Sequence, residues 1–224
     1  EEIWSHQYDC PYNIAYPTGP RCTPTVDGDL VYCLGAMGRL ICLKNATGEL
    51  LWEKELTKEY EAKPPLWGYA SHPFVDGEKV IVPVGGAGSG VVAFNKTTGE
   101  EIWKAVTTFD ICYAPIVMHQ PQGANQERQL IFWHADGIHS LDPESGEEYW
   151  FFKFPEERNP SQTAIATPTL IGNQLLVSEY YKGSLLLEIG SNPPAATEKW
   201  RQFKTNPKLD KSLNAMLATP AVKD

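Results

Sequence analysis

Three stretches decide how this chain folds: Lys44-Asn45-Ala46-Thr47-Gly48-Glu49-Leu50-Leu51-Trp52, Asn95-Lys96-Thr97-Thr98-Gly99-Glu100-Glu101-Ile102-Trp103 and Asp142-Pro143-Glu144-Ser145-Gly146-Glu147-Glu148-Tyr149-Trp150. In each, Thr-Gly or Ser-Gly precedes a tryptophan by four residues. Trp200 closes a degenerate fourth copy, with Asn192 at the acidic position and Ala196 in place of the glycine. Glu1-Glu2-Ile3-Trp4 reads as the tail of another copy. Trp4, Trp52, Trp103, Trp150 and Trp200 are therefore 48, 51, 47 and 50 residues apart. A second series interleaves with them: Thr23-Pro24, His72-Pro73, Ala114-Pro115, Thr167-Pro168 and Thr219-Pro220. Two markers in constant order at a period near 50 signal an internal repeat.

Within a unit, short apolar runs alternate with turn residues. Residues 25–26 lead into Asp27-Gly28, a strong hairpin dipeptide because both residues tolerate positive φ. Runs 30–34 and 40–43 follow, split by Gly35-Ala36-Met37-Gly38, and 49–54 carries the tryptophan. The second unit repeats this with Asp76-Gly77, 79–84, 90–94 and 100–104. The third has a polar insertion over 120–129 where its first hairpin turn should be, and the fourth turns at Gly172-Asn173. Helical periodicity is nowhere sustained; a short helix is expected only around 54–61.

Four short antiparallel strands per unit, repeated at this spacing, are the signature of propeller blades. A β-sandwich explains strands and turns but not the shared tryptophan period, and solenoid strand repeats are shorter. The expected fold is an all-β β-propeller with four-stranded antiparallel blades at 22–56, 68–106, 112–154 and 164–203. Residues 1–21 are expected to be the last strand of a preceding blade with its loop, and 213–224 the first strand of a further one. Open sheet edges template aggregation, so remaining blades or a second chain are expected to close the ring. The chain is then a fragment of a longer protein or a half-ring.

Composition narrows the function. Of 224 residues, 19 are Lys or Arg and 28 are Asp or Glu, a net charge of −9. That excludes a nucleic-acid surface, which needs clustered cations, and disfavours an anionic membrane surface. No apolar run approaches the roughly 20 residues of a membrane span, and the first residues lack the pattern of a signal peptide. Cys10, Cys22, Cys33, Cys42 and Cys112 form no C-x-x-C motif. They read as small buried side chains, with a Cys10–Cys22 bridge as the alternative in an oxidising compartment.

The units resemble the repeat of the quinoprotein-like (PQQ-like) β-propellers, whose pattern is Ala-x-Asp-x-x-Thr-Gly-x-x-x-Trp. Residues 93–103 match it with Asn95 at the acidic place, and 140–150 with Asp142 there; 42–52 departs from it at Lys44. Residues 8–24, 65–73 and 131–146 resemble a BamB-like bacterial branch, common in planctomycetes. The resemblance implies a ring of about eight blades and a periplasmic or secreted location. It also implies a structural role for Trp4, Trp52, Trp103, Trp150 and Trp200, each indole packing between blades with its N–H on a backbone acceptor, beside Gly48, Gly99 and Gly146.

The same resemblance offers three functions. The first is a non-catalytic binding or scaffolding module for a protein, small-molecule or glycan ligand. The second is a PQQ-dependent dehydrogenase oxidising an alcohol or sugar, with the quinone beside a Ca²⁺ ion. The third is a BamB-like envelope platform for protein assembly. Calcium needs six to eight oxygen ligands, and no compact acidic cluster stands out: Glu55, Glu59 and Glu61 read as a solvated face and Glu156-Glu157 as loop charges. The adjacent Cys-Cys that the family's alcohol dehydrogenases place against the quinone is absent from this sequence. The expectation is therefore a module without a cofactor and without a metal.

Some aromatic residues fall outside the structural register and are the candidate ligand face. Trp67, Tyr69 and His72 lie in the loop before an inner strand. Trp133, His134, Asp136 and His139 lie at the second hairpin of the third unit, and Tyr180, Tyr181 and Lys182 in the matching loop of the fourth. Aromatic faces stack on ligands while His and Asp fix polar groups; the alternative is that these rings fill the channel wall. Spacing excludes a zinc motif among His6, His72, His119, His134 and His139. Gly85-Gly86-Ala87-Gly88-Ser89-Gly90 lacks the lysine and helix of a phosphate loop. No G-x-S-x-G elbow occurs, and the sequons at Asn45 and Asn95 coincide with repeat turns.

Overall fold

The computed structural model describes residues 2–12, 14, 19–123, 125–155, 164–202, 213, 215 and 217–221. The chain divides into two compact units, Glu1–Ile111 and Cys112–Asp224. Unit one holds β1 (Thr25–Asp27), β2 (Leu30–Leu34), β3 (Arg39–Lys44) and β4 (Leu50–Glu55). A single helical turn, α1 (Leu56–Glu59), follows, and then β5 (Phe74–Asp76), β6 (Lys79–Pro83), β7 (Val91–Asn95) and β8 (Glu101–Ala105). Unit two holds β9 (Val117–His119), β10 (Gln129–His134), β11 (Gly137–Leu141), β12 (Glu148–Lys153), β13 (Thr169–Ile171), β14 (Gln174–Glu179), β15 (Gly183–Ser191) and β16 (Pro194–Gln202). Each set of four forms one antiparallel meander in sequence order. Gly28, Gly77 and Gly172 all turn the first hairpin at φ 58°, the conformation that Asp-Gly and Gly-Asn favour. In the third sheet the polar insertion replaces that tight turn. Glu156 and Glu157 and most of 203–224 lie outside the described residues.

The repeat motif has one physical account in the first three sheets. Between the third and fourth strands the glycine N–H donates to the residue at the acidic place: Gly48 to Lys44, Gly99 to Asn95 and Gly146 to Asp142, each at 2.8 Å. Asn95 Oδ1 accepts from the N–H groups of Thr97 and Thr98 at 2.9 Å, and Asp142 Oδ1 from Glu144 N–H at 2.7 Å. The hydroxyl before the glycine accepts from the residue after it, as Thr98 Oγ1 does from Glu100 N–H at 3.3 Å. The Lys44 side chain has no acceptor to offer the turn and instead pairs with Glu49 at 2.7 Å. The glycines sit at φ 71–76°, where a Cβ costs about 1–2 kcal/mol.

A β-bulge follows in all four sheets, at Cys42/Leu43, Ala93/Phe94, Ser140/Leu141 and Leu186/Leu187. It sets Trp52 opposite Cys42, Trp103 opposite Ala93, Trp150 opposite Ser140 and Trp200 opposite Leu186. In the first three sheets the residue opposite the indole is small (Cys42, Ala93 or Ser140), while the fourth carries Leu186 there. One residue per bulge is left unpaired: Leu51, Ile102, Tyr149 and Lys199.

The fourth sheet differs. Its last two strands run nine residues each and turn tightly through Asn192-Pro193, with Ser191 opposite Pro194. The five- or six-residue turn of the other sheets is gone, although the bulge and the tryptophan remain.

Packing within each unit runs through the tryptophans. Trp52 of the first sheet lies on Gly99 of the second, where a Cβ would fall 2.8 Å from its ring, and its Nε1–H donates to Lys96 O at 3.1 Å. Tyr32 Oη donates to the same carbonyl at 3.1 Å. Trp4 makes the equivalent contact with Gly48 and donates to Asn45 O at 2.8 Å, although no strand is assigned to residues 2–12. Trp150 departs from the expected backbone acceptor. The turn that its indole would reach is shortened, and it donates instead to Gln129 Oε1 at 2.8 Å, while Gln129 Nε2–H donates to Gly190 O at 2.8 Å. The fully buried Gln129 thus relays the bond to the next sheet, and Ser140 Oγ also donates to it at 2.9 Å. Trp200 is 41% exposed.

Candidate functional site

A meander places the turn between its second and third strands and the connection leaving its fourth strand at one end. In unit one, that end carries 35–38, 56–73, 84–90 and 106–111. These loops are mutually bonded: Leu56 N–H to Gly38 O and Tyr69 N–H to Ala36 O at 2.9 Å, Gly86 N–H to Thr108 O at 2.7 Å. The glycine-rich loop spends its amides internally. Gly88 N–H donates to Thr107 Oγ1 at 2.8 Å and Gly90 N–H to Val106 O at 2.7 Å, so it is a turn, not a phosphate cradle.

The candidate residues separate by burial. Tyr69 is 1% exposed; its hydroxyl donates to Val84 O at 2.7 Å, joining the two sheets of unit one. Burial raises its phenol pKa. Trp67 and His72 are half-buried in the same loop, and burial lowers the His72 pKa. In unit two, Trp133 is also 1% exposed, packed with Phe154, Ile131 and Leu175 between the third and fourth sheets. His134 is buried and stacks face to face on His139, with ring centres 4.9 Å apart. Phe132 and Phe151 flank the pair. His139 Nδ1 lies 2.6 Å from Glu148 Oε2; burial lowers its pKa, and the carboxylate opposes that shift. Asp136 is half-exposed, its N–H donating to His134 Nδ1 at 3.3 Å. Tyr181 is half-buried, in edge contact with Tyr180. Tyr69, Trp133 and His134 therefore face inward and present no ring at a surface. Trp67, His72, Asp136 and Tyr181 retain access to solvent.

Two features were not visible in the sequence. The buried Glu179 holds the Tyr180–Lys182 turn, its Oε2 accepting from the N–H groups of Tyr181 at 2.6 Å and Lys182 at 2.5 Å. At the loop end of unit one, Glu61, Lys63, Pro65, Val84, Gly85, Gly86, Phe109, Asp110 and Ile111 line an open pocket of about 290 Å³. Phe109 on its rim is 77% exposed, and Leu66 beside it 67%. A larger hollow of about 640 Å³ lies between the N-terminal segment and the first sheet, lined in part by Cys10, Cys22 and Cys33. All five cysteines are free thiols. Burial raises the pKa of those three and pushes Cys42 up to about 11, so these thiols are protonated and unreactive near neutrality.

Four-stranded meanders carrying a bulge-set indole in every sheet define a β-propeller repeat protein. The family described as "Outer membrane protein assembly factor BamB" matches residues 1–216, and the chain belongs to it, with the PQQ-like repeat expected from its motifs. Among solved structures, BamB from Moraxella catarrhalis is similar at 18% identity and a TM-score of 0.58, over 84% of this chain and 51% of that one. Quinohemoprotein alcohol dehydrogenase ADHIIG from Pseudomonas putida HK5 is similar at 18% identity and a TM-score of 0.50, over 77% of this chain and 29% of that one. The quinohemoprotein alcohol dehydrogenase from Comamonas testosteroni gives 16% and 0.50, over 81% and 34%. The chain thus spans about half the length of that BamB and about a third of the dehydrogenases. At these identities the likeness is one of fold. No curated protein matches the chain.

The fold family includes quinone enzymes, so the donor set matters. Among the described residues, no three His, Cys, Asp or Glu side chains converge as metal ligands.

Proposed function

We propose that the chain is a non-catalytic protein-binding platform of the cell envelope, periplasmic or secreted, that engages partners with the loop end of its sheets. The single observation that carries this reading is Phe109, 77% exposed on the rim of an open pocket on that end, with Leu66, 67% exposed, next in the chain to the pocket's Pro65. An exposed aromatic ring on the rim of a pocket with a buried apolar floor is a feature that suits a binding site. Family membership supports it, because the family's description is that of an assembly factor. No helix among the described residues is long and apolar enough to cross a membrane. The exposed Trp200, 41% accessible at the far strand of the fourth sheet, supports a further blade or a second chain against that sheet.

The test compares capture from an envelope fraction by the tagged chain and by a Phe109→Ala/Leu66→Ser variant. A protein retained by the first and lost by the second is the expected result. Equal retention, or none, overturns the reading. So does stoichiometric binding of the quinone with Ca²⁺ followed by alcohol-dependent reduction.

A further inference from the structure

We propose that the pocket at the loop end of unit one is a socket for one apolar side chain of a polypeptide segment that carries lysine or arginine beside it. The inference rests on the platform reading and names what the platform holds.

The pocket is built rather than left over. Its floor is Val84 and Ile111, both buried, with Pro65 and the backbone of Gly85 and Gly86. These glycines lie at φ 94° and 106°. A Cβ on Gly86 would meet Tyr60 O and Ser89 Oγ, each at 2.9 Å, and one on Gly85 would meet Ile111 at 3.4 Å. Glycine is therefore required here by the left-handed backbone and, at Gly86, by the close approach of Tyr60 and Ser89. Paired bonds between Gly86 and Thr108, 2.7 and 3.3 Å, tie the floor to the Phe109 rim, and Asp110 N–H donates to Thr108 Oγ1 at 3.3 Å. A cavity whose walls are already bonded needs little ordering on binding.

Its chemistry selects the occupant. The floor side chains offer no hydrogen-bonding group, so the group that reaches the floor is best apolar, since a hydroxyl buried there would lack a side-chain partner. A phenyl or isobutyl group has no such cost and would contact Phe109 as it enters. Two of the three ionisable rim groups, Glu61 and Asp110, are carboxylates, and the chain carries −9 overall. That field attracts a cation and repels an acidic segment. Lys63, exposed on the same rim, can donate to a carbonyl of the incoming backbone.

The test is a ¹⁵N NMR titration of the whole chain with acetyl-Gly-Lys-Phe-Lys-Gly-amide, its Ala-for-Phe analogue and methyl β-glucoside. The Phe peptide is expected to give saturable shifts at Glu61, Lys63, Leu66, Gly85, Gly86, Phe109 and Asp110. The Ala peptide should bind roughly tenfold or more weakly, the factor one buried apolar side chain supplies. Phe109→Ala, at an exposed position that leaves the fold intact, should weaken the Phe peptide similarly, and Glu61→Gln should lessen its dependence on salt. Equal affinity for the two peptides, shifts elsewhere, or saturation by the glucoside alone overturns the proposal. If envelope capture still depends on Phe109 and Leu66 while the peptide fails, the socket is wrong and the platform stands. If capture fails and the peptide binds as described, the reverse holds.

Discussion

Gly99→Ala tests the sheet-to-sheet seam most sharply. Gly99 sits at φ 74°, and a Cβ there would fall 2.8 Å from Trp52 Cδ2 and 3.0 Å from Cε3 and Cγ. Three costs follow. The left-handed backbone with a Cβ costs about 1–2 kcal/mol. Pushing a buried indole off its seat costs about 1–3 kcal/mol, as overpacked cores do. Loss of the Trp52–Lys96 hydrogen bond adds about 1 kcal/mol. The sum is about 3–6 kcal/mol. Gly77→Ala supplies the control: its φ is 58°, and its Cβ would have no atom within 4 Å, so only the backbone cost of about 1–2 kcal/mol applies. Urea unfolding followed by tryptophan fluorescence and far-ultraviolet circular dichroism gives both values. The expected gap between the variants is about 2 kcal/mol or more. Equal losses would refute the claim that the glycine exists to receive the ring.

Gln129→Leu should cost about 2–4 kcal/mol in the same assay, because it leaves the Trp150 indole, the Ser140 hydroxyl and Gly190 O buried without their partner. Lys44→Asp should stabilise by roughly 0.5–1 kcal/mol: it gives the first turn the acceptor that Asn95 and Asp142 supply to theirs, and removes only an exposed ion pair. Acidification should destabilise the fold. Burial holds the pKa values of His72, His119 and His139 below the unfolded value of about 6.5. The unfolded chain then binds more protons in this range, so stability is full above about pH 6.5 and falls as pH drops toward the folded values. A urea midpoint that is flat between pH 7 and 5 would contradict this. Phe109→Ala should leave the midpoint unchanged, since its ring is 77% exposed.

The turns carried most of the fold's legibility. Asp27-Gly28, Asp76-Gly77 and Gly172-Asn173 stand where hairpins are found, because residues that tolerate positive φ fix a turn locally. The last hairpin was less legible. Nothing local shows that 183–191 and 194–202 pair over nine residues, since Asn192 and Ala196 resemble a worn copy of the long turn. The ligand face was harder still. In β6, β10 and β11 every residue is buried, because a sheet packed on both faces removes the contrast that alternation depends on. Trp133 and His134 point to opposite faces, yet both are interior. Phe109 and Leu66 lie in loops, where no period marks a side chain as exposed.

The relay through Gln129 bears on how such a chain can be lengthened or rearranged. Identical blades could be duplicated or exchanged freely, since each indole would find the same carbonyl in its neighbour. Here the third and fourth blades are matched to each other. A second blade copied into the third position would bring Trp103 with Lys79 at the place of Gln129, and a lysine, which only donates, cannot accept the indole N–H and pass a bond on to the short turn at Asn192. A shortened turn and a long amide side chain must therefore be inherited as a pair, which makes the order of blades in this chain a fixed sentence rather than a string of interchangeable words.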